Sequence, residues 1–152
     1  MTPKKRRLLV VASVLLVLAF FSPAACQSVA GGVVDGQLAP CPCSPNCVNI
    51  EATEENSPIE PLAFEGSPEE AWSSLIAFVD ALPRTDIVTS TGDYAHVVFR
   101  TKWMRFRDDV EFRLSADENV IHVRSASRAG YSDLGVNRDR IERIRAEWSQ
   151  AK

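Results

Sequence analysis

YAHVVFRTKWMRFRDDVEFRLSADENVIHVRSAS, residues 94–127, decides the fold. Three runs in it alternate apolar and polar side chains. In Tyr94–Thr101, Ala95, Val97 and Phe99 share one face, while Tyr94, His96, Val98 and Arg100 share the other. In Arg105–Leu114, Phe106, Val110, Phe112 and Leu114 oppose Asp109, Glu111 and Arg113. In Val120–Ser127, Ile121 and Val123 oppose His122 and Arg124. A period of two marks half-buried strands. Upstream, Asp86–Ser90 reads as a further strand, cut off by the turn residues Thr91-Gly92-Asp93. Ser115–Asn119 is a second polar turn. Connections this short join antiparallel neighbours, so the four runs predict a four-stranded antiparallel meander.

A helix is expected on either side. Ser67 is an N-cap, Pro68 takes the first helical position and Glu70 stands where a capping box needs it. Trp72, Leu75, Ile76, Val79 and Leu82 then recur on one face, and Pro83 ends the run. From about Asn137 to Gln150, Ile141, Ile144 and Trp148 form a second stripe. Helix, four strands, helix, with one apolar sheet face to cover, predicts a two-layer α+β domain.

The N-terminus reads as an address. Lys4–Arg7 is basic, Leu8–Phe21 is apolar but for Ser13, and small residues follow. This is the pattern of a signal peptide over residues 1–25. Cys26 after Ala24-Ala25 resembles the lipid-attachment motif of bacterial lipoproteins, although Pro23 stands where that motif usually has Leu. Lipidation of Cys26 is the expectation. Cleavage near Ala24 or Ala25, or a retained membrane anchor, are the alternatives. Each puts the rest of the chain outside the cytoplasm, and lipidation puts it at the membrane on the periplasmic side. Residues 26–40 read as a flexible tether. Residues 41–150 read as one α+β domain, opening with an extended Cys-rich segment over 41–66.

Charge narrows the partners. The chain carries 17 basic and 20 acidic residues, a net of −3. Without Lys4–Arg7 the rest holds 13 basic and 20 acidic, a net of −7. That argues against generic nucleic-acid binding, which needs a basic surface. Cys41, Cys43 and Cys47 fall within CPCSPNC. Outside the cytoplasm, closely spaced cysteines form disulfides. Zinc needs four ligands, and the chain's two histidines, His96 and His122, are distant in sequence, so no metal and no cofactor is expected.

A polar cluster forms the candidate site. Asp108, Asp109 and Glu111 precede Arg124, Ser125, Ser127 and Arg128, and Tyr131, Asp133, Asn137 and Arg138 follow. One reading is structural: arginine forks pair with carboxylates, and Asp and Asn fix the turn and cap the last helix. A second is binding: Arg124, Arg128 and Arg138 converge on a small polar or anionic ligand. A third is catalysis by Asp109 and Glu111 on one strand face. The chain lacks a nucleophile elbow and any obvious nucleophile–base pair. We therefore expect a non-catalytic binding or structural module attached to a membrane through its N-terminus, with an enzyme or anionic-ligand binder as the alternative.

Three segments, PCPCSPNCV, DDVEF and RSASRAGYSDLGVNRDRIERIR, resemble in the same order a bacterial and plastid family, domain of unknown function number 1499. The similarity runs from about Leu38 to Trp148. It implies a pair formed by Cys41 and Cys47, with Cys43 as the odd thiol. It implies no established activity.

Overall fold

Period-two alternation forms strands where it predicts them. The structure, a computed structural model, describes residues 31–50 and 58–151. The elements run β1 (Val33–Val34), β2 (Gln37–Leu38), β3 (Cys47–Asn49), β4 (Leu62–Ala63), α1 (Pro68–Asp80), β5 (Thr85–Ser90), β6 (Tyr94–Arg100), β7 (Arg107–Ser115), β8 (Val120–Ser127) and α2 (Val136–Gln150). β5 to β8 pair in order as an antiparallel meander.

The sheet does not stop at four strands. β3 pairs antiparallel with the far end of β8, Cys47 opposite Ala126 and Asn49 opposite Arg124. β4 pairs with the near end of the same edge, Leu62 opposite Ile121. The sheet therefore has six strands, and the expected four-stranded meander is corrected to that number. Strands of two and three residues are too short to show a period. The segment 41–66 is correspondingly more than an extended surface run. Val48, Ile59, Leu62 and Phe64 are buried in it. Arg138 and Arg145 of α2 donate to the carbonyls of Pro58 (2.7 Å) and Glu60 (2.6 Å), fixing this strap.

Both helices cover the face that bears Val97, Val110, Phe112, Ile121 and Val123, packing Trp72, Leu75, Val79, Ile141, Ile144 and Trp148 against it. Each such large side chain contributes about 1.5–3 kcal/mol on burial. Ser67 caps α1 as read, its hydroxyl accepting from the Glu70 amide at 3.3 Å. α2 begins one residue before the expected Asn137, behind Gly135 at φ 87, a left-handed turn that glycine adopts without strain. β7 begins at Arg107, not Arg105. Arg105 sits at φ 54, which breaks the extended run and leaves Phe106 half exposed in the hairpin loop.

The opposite face is closed over Glu111 and Arg124. The described part of the expected tether, from Gly31 onward, folds back: β1 and β2 form a small hairpin, and Leu38 and Ala39 are buried. Asn49 Nδ2 holds the Ala39 carbonyl at 3.0 Å. Residues 1–30, with the signal-peptide reading and Cys26, lie outside the described residues. No helix among the described residues is long and apolar enough to cross a membrane.

Cys41 and Cys47 are disulfide-bonded, with Cα atoms 5.7 Å apart. Cys43, expected to be free, is disulfide-bonded too. The Cys41–Cys47 loop is short, and its closure limits the unfolded chain by about 2.4 kcal/mol on the loop-entropy estimate. Cys41→Ser with Cys47→Ser is therefore expected to lower stability by about 2 kcal/mol, read as a lower urea midpoint. An unchanged midpoint would mean that the loop is held by its hydrogen bonds alone.

Candidate functional site

Alternation along β7 splits the candidate cluster in two. Asp108 points to the helix side of the sheet, Asp109 and Glu111 to the other. The eleven residues singled out from the sequence thus do not form one site.

On the helix side, Asn137 is the hub. Its Oδ1 accepts from Ser125 (2.6 Å) and from Arg140 Nη1 (2.6 Å). Its Nδ2 donates to the Asn46 carbonyl (2.9 Å) and to Ser127 Oγ (3.0 Å). Arg140 also donates to Ser125 Oγ at 2.9 Å and ion-pairs with Asp108. The guanidinium lies 5.2 Å from the centre of the Phe99 ring, within cation–π range. Burial pulls the Arg140 pKa down, and the Asp108 carboxylate works against that pull. Asp133 accepts from the Gly135 (3.0 Å) and Asn137 (2.7 Å) amides, which satisfies the start of α2 in place of a side-chain cap at Gly135. Asn46 Nδ2 reaches the Gly130 carbonyl at 2.6 Å. The network thus ties the disulfide loop, β7, β8, the β8–α2 connection and α2 together.

On the other face, Glu111 is fully buried and Arg124 nearly so. Arg124 Nη1 lies 2.6 Å from Glu111 Oε2, and the Tyr94 hydroxyl donates to Oε1 at 2.8 Å. The Gly32 amide donates to the same oxygen. Burial and the neighbouring Glu111 carboxylate push the Tyr94 hydroxyl pKa well up, so it remains a donor. A Cβ on Gly31 would stand 2.6 Å from Glu111 Oε2, so only glycine lets the backbone cross this carboxylate so closely. Further along, Arg128 grips Asp109 with two bonds of 2.8 and 2.7 Å, and His96 Nε2 lies 2.7 Å from Asp109 Oδ1.

Several expectations change. Arg124, Arg128 and Arg138 do not converge: the first is buried on Glu111, the second holds Asp109, and the third holds the Pro58 carbonyl. Tyr131 is exposed and outside both networks. A histidine does join the cluster, since His96 sits opposite Glu111 in register and reaches across to Asp109. Asn46 and Arg140 are central, and neither is among the eleven residues singled out, although Arg140 ends the Ser125–Arg140 stretch whose charges were expected to pair with Asp108, Asp109 and Glu111. Asn46 hides between prolines and cysteines in a loop without period. Arg140 sits one turn past Asn137 on α2, and its i, i+3 spacing was the available signal. Among the described residues, no group of three or more His, Cys, Asp or Glu is placed to hold a metal ion.

The Asp109 pair has a pH signature. Burial favours its neutral acid, but the hydrogen bonds from Arg128 and His96 outweigh this and hold the carboxyl below its usual range. A lowered pKa contributes stability above the unfolded value of about 3.9, and that contribution fades as pH falls through the folded value. The melting difference between wild type and Asp109→Asn should therefore be present at neutral pH, begin to fade below about pH 4, and vanish only below the lowered folded pKa. A difference that grows in acid would contradict the pairing. The effect is modest, since Arg128 is 42% exposed and solvated pairs are worth about 1 kcal/mol or less.

The family described as "Protein of unknown function (DUF1499)" matches residues 37–148 of the chain. No curated protein and no solved structure matches it.

Proposed function

We propose, for a chain that belongs to the DUF1499 family of proteins of unknown function, a role as an exported, membrane-tethered module that acts by binding and not by catalysis. The observation that carries this is the internal use of the polar cluster. Asp108, Asp109 and Glu111 each have an arginine of their own. Ser125 is sealed between Asn137 and Arg140, with no base beside it. A group so committed frames a fold and does not meet a substrate.

Export is supported by the disulfide chemistry of Cys41, Cys43 and Cys47, which belongs to an oxidising compartment. The tether is supported by the basic and apolar pattern of residues 4–21. Fractionation of cells carrying wild type and Cys26→Ser tests the reading. Wild type is expected in the membrane fraction, with its folded part open to protease added from outside the cytoplasm. Release of Cys26→Ser identifies a lipid at that residue, and retention identifies the apolar segment as anchor. The chain has four cysteines and Cys41 is bonded to Cys47, so a lipid on Cys26 leaves Cys43 no disulfide partner within the chain, which non-reducing peptide mapping reads. Wild type recovered from the cytoplasm with reduced cysteines overturns the proposal.

A further inference from the structure

The hairpin between β6 and β7 carries what the cluster lacks, an exposed and unspent surface. Residues 100–107 read RTKWMRFR, with no acid in a chain whose net charge is negative; of its four basic side chains Arg100 pairs with Asp86 at 3.1 Å, which leaves Lys102, Arg105 and Arg107. Trp103 is 85% exposed, and Met104 and Phe106 stand out beside it. Leu134, on the β8–α2 connection, is 92% exposed. Phe106 and Leu134 line one groove together, which places both loops at the same end of the domain. Lys102 lies over the Trp103 ring at 5.1 Å. No carboxylate among the described residues pairs with Lys102, Arg105 or Arg107. Apolar side chains gathered at one end of a monomer mark an interaction surface. Beside the hairpin, a cleft of about 520 Å³ is lined by Leu82, Phe99 and Val136, by the basic Arg84, Lys102 and Arg143, and by the carboxylates of Asp139 and Glu147.

We infer that this end of the domain docks on a bilayer rich in anionic lipid, with Trp103 and Met104 at the headgroup level. The inference rests on the tethered reading above, which keeps the domain beside such a surface. The chemistry fits that occupant better than a protein groove. An amphipathic indole flanked by basic residues is the composition that partitions into a membrane interface, and each basic residue near an anionic surface adds attraction.

The test uses the full chain in vesicles of phosphatidylcholine alone or mixed with phosphatidylglycerol, each with lipids brominated high on the acyl chain. Flotation reports the tether. Quenching of tryptophan emission reports the hairpin, because Trp72 and Trp148 are buried and Trp103→Phe supplies their background. Expected is flotation with both vesicle types, but Trp103 quenching and a blue shift only with phosphatidylglycerol. Both signals should vanish at about 1 M salt, where screening shortens to about 3 Å. Lys102→Gln with Arg105→Gln should weaken the hairpin's partitioning roughly thirtyfold. Flotation without quenching overturns the docking and leaves the tether standing. Quenching with flotation only on anionic vesicles keeps the docking and overturns the tether. Equal quenching on both lipids overturns the anionic partner. A concentration-dependent blue shift without vesicles reveals a second copy as the occupant and overturns the inference as well.

Discussion

Glu111→Gln is expected to lower the unfolding free energy by about 3–5 kcal/mol. The substitution keeps the size of the side chain and removes its charge. Arg124 is then left buried without a counter-charge, and that is where the loss arises. Against a total stability of about 5–15 kcal/mol, this is a large share. Urea denaturation reads it as a lower midpoint at unchanged slope. Tyr94→Phe removes one donor to the same carboxylate and should cost about 1.5–3 kcal/mol. Replacing both charges, Glu111→Leu with Arg124→Met, should recover most of the stability, since a buried pair exchanged for packed apolar groups is often neutral. A loss below about 1 kcal/mol for Glu111→Gln is the signature of a solvated pair. It would show that the segment from Gly31 to Pro40 does not seal this face in solution.

Arg140→Met should have a loss of the same order, about 3–5 kcal/mol, by stranding the Asp108 carboxylate beneath α2. Two other groups lose a donor with it, Ser125 Oγ and Asn137 Oδ1. Asn137→Ala attacks the same hub from the other side and leaves the Asn46 carbonyl and Ser125 short of partners. The two variants share partners, so their combined effect should fall well short of the sum. Additive losses in that double-mutant cycle would mean that the network is a set of separate bonds. A functional site behaves in the opposite way, since binding groups are often held at a cost to stability. Full stability in Arg140→Met would therefore reopen the binding reading of the cluster.

The meander and both helices were legible because each is long enough to repeat its period. Ala95, Val97 and Phe99 face the helices as their spacing predicts, and Trp72 and Trp148 are buried under the stripes that contain them. What the sequence hid is non-local. β3 and β4 are strands only because β8 offers them an edge, and nothing in CVN or LA says so. The site failed for the same reason. Asp108 and Asp109 are neighbours in sequence, but the pleat sends them to opposite faces, each toward an arginine from a different element. A list of charges therefore looked like one cluster and became two networks. The Asp109–Arg128 pair is part-solvated, and the buried pairs are Glu111–Arg124 and Asp108–Arg140.

Chain order and sheet order disagree at one edge, and this has a consequence for how the molecule assembles. A ribosome delivers β3 before the meander, yet its partner is β8, the last strand made. Adjacent hairpins close within microseconds, while contacts between distant residues wait on loop entropy. Thus β5 to β8 can pair as soon as they emerge. Asn46 and Gly32 keep their polar groups in water until Asn137 and Glu111 exist to receive them. The Cys41–Cys47 loop needs no distant partner, so once the chain meets an oxidising compartment it can close before β3 reaches the sheet. β3, made before the meander, is thereby the last of these strands to join the sheet.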